Sequence, residues 1–191
     1  TYFNASTPLT LAETASVFGE MLTFKSLLSS TKNKNERKGM LANKVEDMLN
    51  TVVRQIAFFE FEKQLHEQRK VKELSVAEIC NIWMDVQKKS LGPHIKFDDD
   101  YKYFWSYIPH FIHSPFYVYA YAFGDCLVNS LFNVYENNSK DFENKYMSLL
   151  ASGGSKSYDQ LLIPFGLNPK RKDFWQKGIS VIEQFIDQLE E

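Results

Sequence analysis

Five residues between positions 110 and 121 carry the densest set of titratable rings in the chain: His110, His113, Tyr117, Tyr119 and Tyr121. Imidazoles and phenols that converge can donate protons, or donate hydrogen bonds to an oxyanion as it develops. Ser114-Pro115 reads as a helix start, with Ser as N-cap and Pro at the first helical position. On that helix Tyr117 and Tyr121 are four apart and share a face, while Tyr119 points elsewhere. His110 and His113 sit just ahead of it. Spacing alone favours the plainer reading, a buried, aromatic-rich helix whose hydroxyls find ordinary partners.

A second group lies near the start of the chain. Glu13, Ser16 and Glu20 fall on one narrow polar face of a predicted helix. Buried carboxylates need partners, which raises metal ligation as one explanation for the pair. The other explanation for Glu13 is local: Thr10-Leu11-Ala12-Glu13 has the form of a capping box, with the Glu13 side chain reaching back to the Thr10 amide. A zinc site built from H-E-x-x-H plus a distant carboxylate finds no H-E-x-x-H here. The nearest run, His66-Glu67-Gln68-Arg69-Lys70, puts Lys where the second imidazole belongs, and an ammonium has no lone pair for a metal. His66 is therefore read as a surface residue, and His94 as a loop residue without a partner pattern. A di-iron or haem bundle would need E-x-x-H pairs, and no histidine has Glu three residues before it.

The elements that must hold these groups read as helical throughout. Residues 10–30 carry an apolar stripe at Leu11, Ala15, Phe18 and Leu22, widened by Val17, Met21, Phe24 and Leu28, so the helix is expected to be buried on most sides. A long helix follows over residues 36–69, with Leu41, Val45, Met48, Val52, Ile56 and Phe59 on its core side. Ser75-Val76-Ala77-Glu78 is a capping box that opens a helix over 76–89, with Ile79, Ile82, Trp83 and Val86 inward. A short aromatic segment at 101–107 leads to the central helix, which continues to about residue 135. Helices are expected over 140–151, capped by Ser139, over 157–165, and over 172–189, the last packing through Phe174, Trp175, Ile179, Ile182, Phe185 and Ile186. Apart from the period-two tyrosines, no segment alternates as a strand would. The fold class is all-α, a multi-helix bundle, with residues 1–191 as one helical domain.

Composition narrows the function classes. The 191 residues are 44% hydrophobic and 24% charged, with a formal net charge of −2. That balance gives no electrostatic footprint for nucleic acid. No apolar run is long enough to cross a bilayer, and no signal-peptide pattern opens the chain. Cys80 and Cys126 form no paired motif, as expected of reduced thiols in a cytoplasmic protein. The first residue is Thr, which suggests a processed chain or a fragment.

Several runs together resemble the C-terminal part of oligoendopeptidase F, a zinc metallopeptidase of the thimet-oligopeptidase superfamily. They are P-L-T-L-A-E-T-A-S-V-F-G-E at 8–20, R-Q-I-A-F-F-E-F-E at 54–62, I-P-H-F-I-H-S-P-F-Y-V-Y-A-Y-A-F-G at 108–124, L-L-A-S-G-G-S at 149–155, and the tail from 165 to 175. The resemblance covers nearly the whole chain in order. It implies the C-terminal portion of a gluzincin-type catalytic domain acting on short oligopeptides. Glu13 takes the place of the third zinc ligand and Glu20 that of a supporting acid. His110, Tyr117 and Tyr121 fall in the segment that lines the cleft, binds substrate backbone and stabilises the oxyanion, with His113 and Tyr119 as further substrate contacts. The first two ligands and the general base would come from an H-E-x-x-H helix upstream of Thr1, in an N-terminal part of the same enzyme. Zn2+ is thus expected in the intact enzyme and not on this polypeptide alone, which should cleave nothing by itself. The competing expectation is a non-enzymatic helical interaction module, whose exposed former interface would dimerise or recruit a partner.

Overall fold

The computed structural model describes Leu11, residues 13–137 and residues 140–191. The Thr10 capping box and the Ser139 cap lie outside the described residues. Among the described residues every regular element is helical: α1 (Thr14–Ser30), α2 (Lys34–Leu49), a π-helical turn (Asn50–Arg54), α3 (Gln55–Arg69), α4 (Val76–Leu91), a 3-10 helix (Asp99–Tyr107), α5 (His110–His113), α6 (Tyr119–Asn137), α7 (Phe142–Ser152), α8 (Tyr158–Leu162) with a 3-10 turn (Ile163–Phe165), and α9 (Lys172–Glu190). No described helix is long and apolar enough to cross a membrane. The chain divides into two compact units, one of Thr1–Met48 with Phe123–Glu191 and one of Leu49–Ala122.

In the first unit, Phe18 of α1 is the centre of an aromatic cluster. Its ring lies 5.8 Å from Phe132, 5.6 Å from Phe142 and 4.6 Å from Tyr146. The Tyr146 hydroxyl donates to the Thr14 carbonyl at 3.0 Å, and burial pushes its pKa up to about 12. Helix α1 buries a single stripe, Thr14, Phe18, Met21 and Leu28. It is not buried on most sides: Ala15 and Leu22 are exposed and Leu27 is 53% exposed. The apolar count misled because one stripe at 3.6-residue spacing already fills the space against α6 and α7.

Helix α9 buries Phe174, Gly178, Val181, Ile182 and Phe185. Ile179, expected inward, is exposed. The face is turned by Gly178, which approaches the Cys126 backbone so closely that an added Cβ would sit 2.8 Å from its carbonyl oxygen. Ser130 ties α6 to the same helix by donating to the Phe174 carbonyl at 2.9 Å.

The second unit is organised around Trp83. This fully buried ring stacks on Phe58 at 5.5 Å and meets Phe61 edge-on at 5.2 Å, and its indole N–H donates to the Tyr101 carbonyl at 3.0 Å. Ala57, Leu74, Ile82, Val86 and Val118 complete the core. Helix α4 begins at the expected capping box, with the Ser75 hydroxyl accepting from the Glu78 amide and the Glu78 carboxylate accepting from the Ser75 amide.

Helical structure runs without interruption from Lys34 to Arg69, as expected, but the phase of its buried face changes. Up to Met48 the predicted positions are buried. Beyond it Ile56 is 42% exposed, and Ala57, Phe58, Phe61 and Glu62 are buried instead. The π-helical turn at Asn50–Arg54 is the cause. It takes in an extra residue and advances the stripe by about one position.

Candidate active site

The central helix starts later than the sequence pattern indicates. Residues 114–117 form a turn closed by the Tyr117 amide donating to the Ser114 carbonyl at 3.2 Å, and α6 begins only at Tyr119. Pro115 is therefore the second residue of a turn, not the first of a helix. Phe116 follows with φ of 59°, left-handed backbone that costs a bulky residue roughly 1–2 kcal/mol. What retains it is tertiary: the Phe116 amide donates to the Glu62 carboxyl at 2.9 Å.

The late start still leaves Tyr117 and Tyr121 together. The Ala120 amide donates to the Tyr117 carbonyl at 2.9 Å, which joins the turn directly to α6. The two phenol rings lie 5.2 Å apart at 65°. On the other side of the turn, the Ser114 amide donates to the His110 carbonyl at 3.0 Å and closes α5. The His110 ring stacks on Tyr117 at 5.8 Å and meets Tyr121 edge-on at 5.8 Å, and the Tyr121 hydroxyl lies 3.3 Å from His110 Nε2. All three side chains are half-buried. Of the two imidazoles and two phenols expected to converge, His110, Tyr117 and Tyr121 form a physical cluster whose rings hold one another in place.

The other residues singled out in the sequence lie differently. His113 is exposed at the end of α5, and Tyr119 is exposed and packs edge-on against Phe59 at 5.7 Å. His66 is not a plain surface residue: it is half-buried, with its ring 4.9 Å from that of Phe116. His94 is exposed. Glu13 immediately precedes α1, is exposed, and accepts from the Ser16 hydroxyl at 2.9 Å. Glu20 is exposed and paired with the nearly buried Lys44 ammonium at 2.5 Å.

Two acids with perturbed protonation went unrecognised as site residues in the sequence. Glu62 is fully buried, and desolvation raises its pKa against the lowering effect of the Phe116 amide. Asp125 on α6 is lifted to about 6, chiefly by desolvation; the Lys44 charge and the Asn129 amide oppose the shift and the Glu20 carboxylate adds to it. The signal for Glu62 was an acid set among phenylalanines in F-F-E-F-E. Asp125 gave no comparable signal.

A tetrahedral zinc site needs three protein ligands in convergence. Among the described residues no group of three His, Cys, Asp or Glu side chains is placed to hold a metal ion. Glu13, whose described partner is the Ser16 hydroxyl, is at most one ligand of a set. The described residues alone do not fit zinc.

Comparison with known proteins gives a consistent result. The chain is 32% identical over 179 residues to an oligoendopeptidase F homolog of Borreliella burgdorferi, covering 93% of this chain and 30% of that protein. It is 29% identical over 182 residues to the oligopeptidase PepF of Bacillus subtilis, covering 95% of this chain and 27% of that protein. The crystal structure of oligoendopeptidase-F from Enterococcus faecium superposes with a TM-score of 0.86 at 27% identity, over 95% of this chain and 35% of that one. The chain thus spans about three tenths of the length of the relatives it matches. The all-α architecture agrees with these neighbours. Residues 1–181 match the family described as Peptidase family M3. The chain belongs to peptidase family M3.

Proposed function

We propose that the chain is the C-terminal part of a zinc metalloendopeptidase that hydrolyses short oligopeptides in the cytoplasm, with residues 1–191 forming one portion of a larger helical catalytic domain. The observation that carries this reading is the cluster of His110, Tyr117 and Tyr121, with the Tyr121 hydroxyl 3.3 Å from His110 Nε2. A peptide carbonyl attacked by water becomes an oxyanion, and preorganised donors aimed at it lower the barrier. The Tyr117 and Tyr121 hydroxyls are such donors. His110 orients the Tyr121 hydroxyl and contributes a second polar edge for the substrate backbone. His113 and Tyr119, both exposed, extend the same surface along a bound peptide.

In this reading Glu13 is the single zinc ligand the chain offers, and Glu20 a nearby supporting acid. The two imidazoles and the general base come from an H-E-x-x-H helix in the N-terminal part of the enzyme. Bound zinc supplies Lewis-acid activation of water and carbonyl; the polypeptide described here supplies recognition and oxyanion stabilisation. Tyr121→Phe in the intact enzyme tests it. Turnover of a short peptide should fall about 10²-fold, with KM changed far less. Unchanged kcat would refute the oxyanion role.

A further inference from the structure

Glu62 is the only acidic side chain among the described residues that is completely buried, at 0% exposure. It lies on α3 next to the core residue Phe61 and in the same buried face as Phe58. Its Oε1 accepts the Phe116 amide at 2.9 Å, across 54 positions of sequence, while its Oε2 has no hydrogen-bond partner. Burying a carboxyl for one backbone hydrogen bond is costly, so the contact needs a reason beyond packing.

The turn provides one. Pro115 holds the second residue of the turn at negative φ, which rules out the mirror-image turn types, and Phe116 in third place has φ of 59°. Negative then positive φ is the signature of a type II turn, in which Gly or Asn ordinarily takes the third place. Type I and type II turns differ by a flip of the central peptide, whose N–H here belongs to Phe116. An acceptor fixed on that N–H selects the flipped form. His110 is tied to one end of the turn through the Ser114 amide, and Tyr117 forms the other end. The Tyr121 amide donates to the Val118 carbonyl at 3.2 Å, so the first turn of α6 inherits the same direction.

We propose that Glu62 is a positioning residue: by accepting the Phe116 amide it holds the 114–117 turn in its left-handed form and thereby aims His110, Tyr117 and Tyr121 at one point. What the aimed cluster does rests on the peptidase reading above; the aiming rests on the geometry alone.

The test uses amide hydrogen exchange and imidazole NMR signals on the 191-residue chain. Glu62→Gln keeps a carbonyl acceptor at the same reach. Glu62→Asp withdraws the carboxyl by one methylene, and Glu62→Ala removes it. Exchange at Phe116 should stay close to the parent in Glu62→Gln. It should quicken by about tenfold or more in Glu62→Asp and Glu62→Ala, as expected for loss of a side-chain hydrogen bond. The His110 ring signals should shift in those two variants while α4 amides such as Trp83 keep their protection. Parent-like Phe116 exchange in Glu62→Asp, or equal disturbance by Glu62→Gln, overturns the proposal. So does protection lost evenly across α4. Should Glu62→Ala not fold, Glu62→Asp decides alone. In the intact enzyme Glu62→Asp should lower kcat more than it raises KM, with Glu62→Gln restoring the loss. Full activity in Tyr121→Phe would remove the catalytic reading and leave the exchange result standing, so the two failures are distinct.

Discussion

The Tyr121 hydroxyl lies 3.3 Å from His110 Nε2, although the two residues are eleven apart and belong to separate helices. A pair that acts as one unit toward substrate should not be additive. In the intact enzyme His110→Ala and Tyr121→Phe are each expected to cost about 10²-fold in kcat, and the double variant little more than either alone. Steady-state kinetics on the four members of the cycle measure this. Independent, multiplicative losses would show that the two side chains serve separate steps.

Gly178 packs against backbone, not against a side chain that could swing aside. A Cβ there would meet the Cys126 carbonyl oxygen at 2.8 Å and Cα at 3.1 Å. Gly178→Ala gains about 1 kcal/mol of helix propensity but must part α9 from α6, an overpacking cost of about 1–3 kcal/mol or more. A net loss is expected, read as a lower urea midpoint at unchanged slope. An increase in midpoint would mean that the helices separate without penalty.

Asp125 makes stability depend on pH. Its pKa is 3.8 by the ordinary value and about 6 in the fold, with desolvation the main cause. Between those values the native chain binds the proton more tightly than the unfolded chain. Stability contributed by this group is therefore complete at acid pH and falls as pH rises through the window. Asp125→Asn retains an acceptor for the Asn129 amide, which now donates to Asp125 at 2.8 Å. The variant should gain up to about 3 kcal/mol over the parent at pH 7.5 and almost nothing at pH 3. Urea titrations at both pH values check it; a gain of equal size at both would point to packing and not to charge.

The helical content and most helix positions could be read from the chain because they rest on local signals: apolar spacing, the Ser75–Glu78 capping box, and Gly153 ending α7. The pairing of Tyr117 with Tyr121 was legible for a different reason from the one the pattern suggested. They do not share a helix; a turn and the first residues of α6 bring them together. The start of α6 was illegible because Ser-Pro is as good a turn opening as a helix cap. The deciding contact, Glu62 to Phe116, comes from 54 residues upstream. The face of α9 was misread at Ile179 because a glycine's close approach outweighs the pull of one apolar side chain. His110 could be placed with the tyrosines from the sequence, whereas the exposure of His113 and Tyr119 depends on tertiary packing that periodicity does not encode.

The π-helical turn at Asn50–Arg54 works as a phase adjuster. One residue in a helix corresponds to about 100° of rotation, so everything from Gln55 onward is dialled round relative to an unbroken α-helical count. Rewinding Asn50–Arg54 as α-helix with no residue removed would rotate α3 against the residues just ahead of it in the same unit and carry Glu62 off the bearing from which it reaches Phe116. An insertion that a helical wheel would score as an error is thus what brings a carboxyl of α3 within reach of the turn ahead of α6.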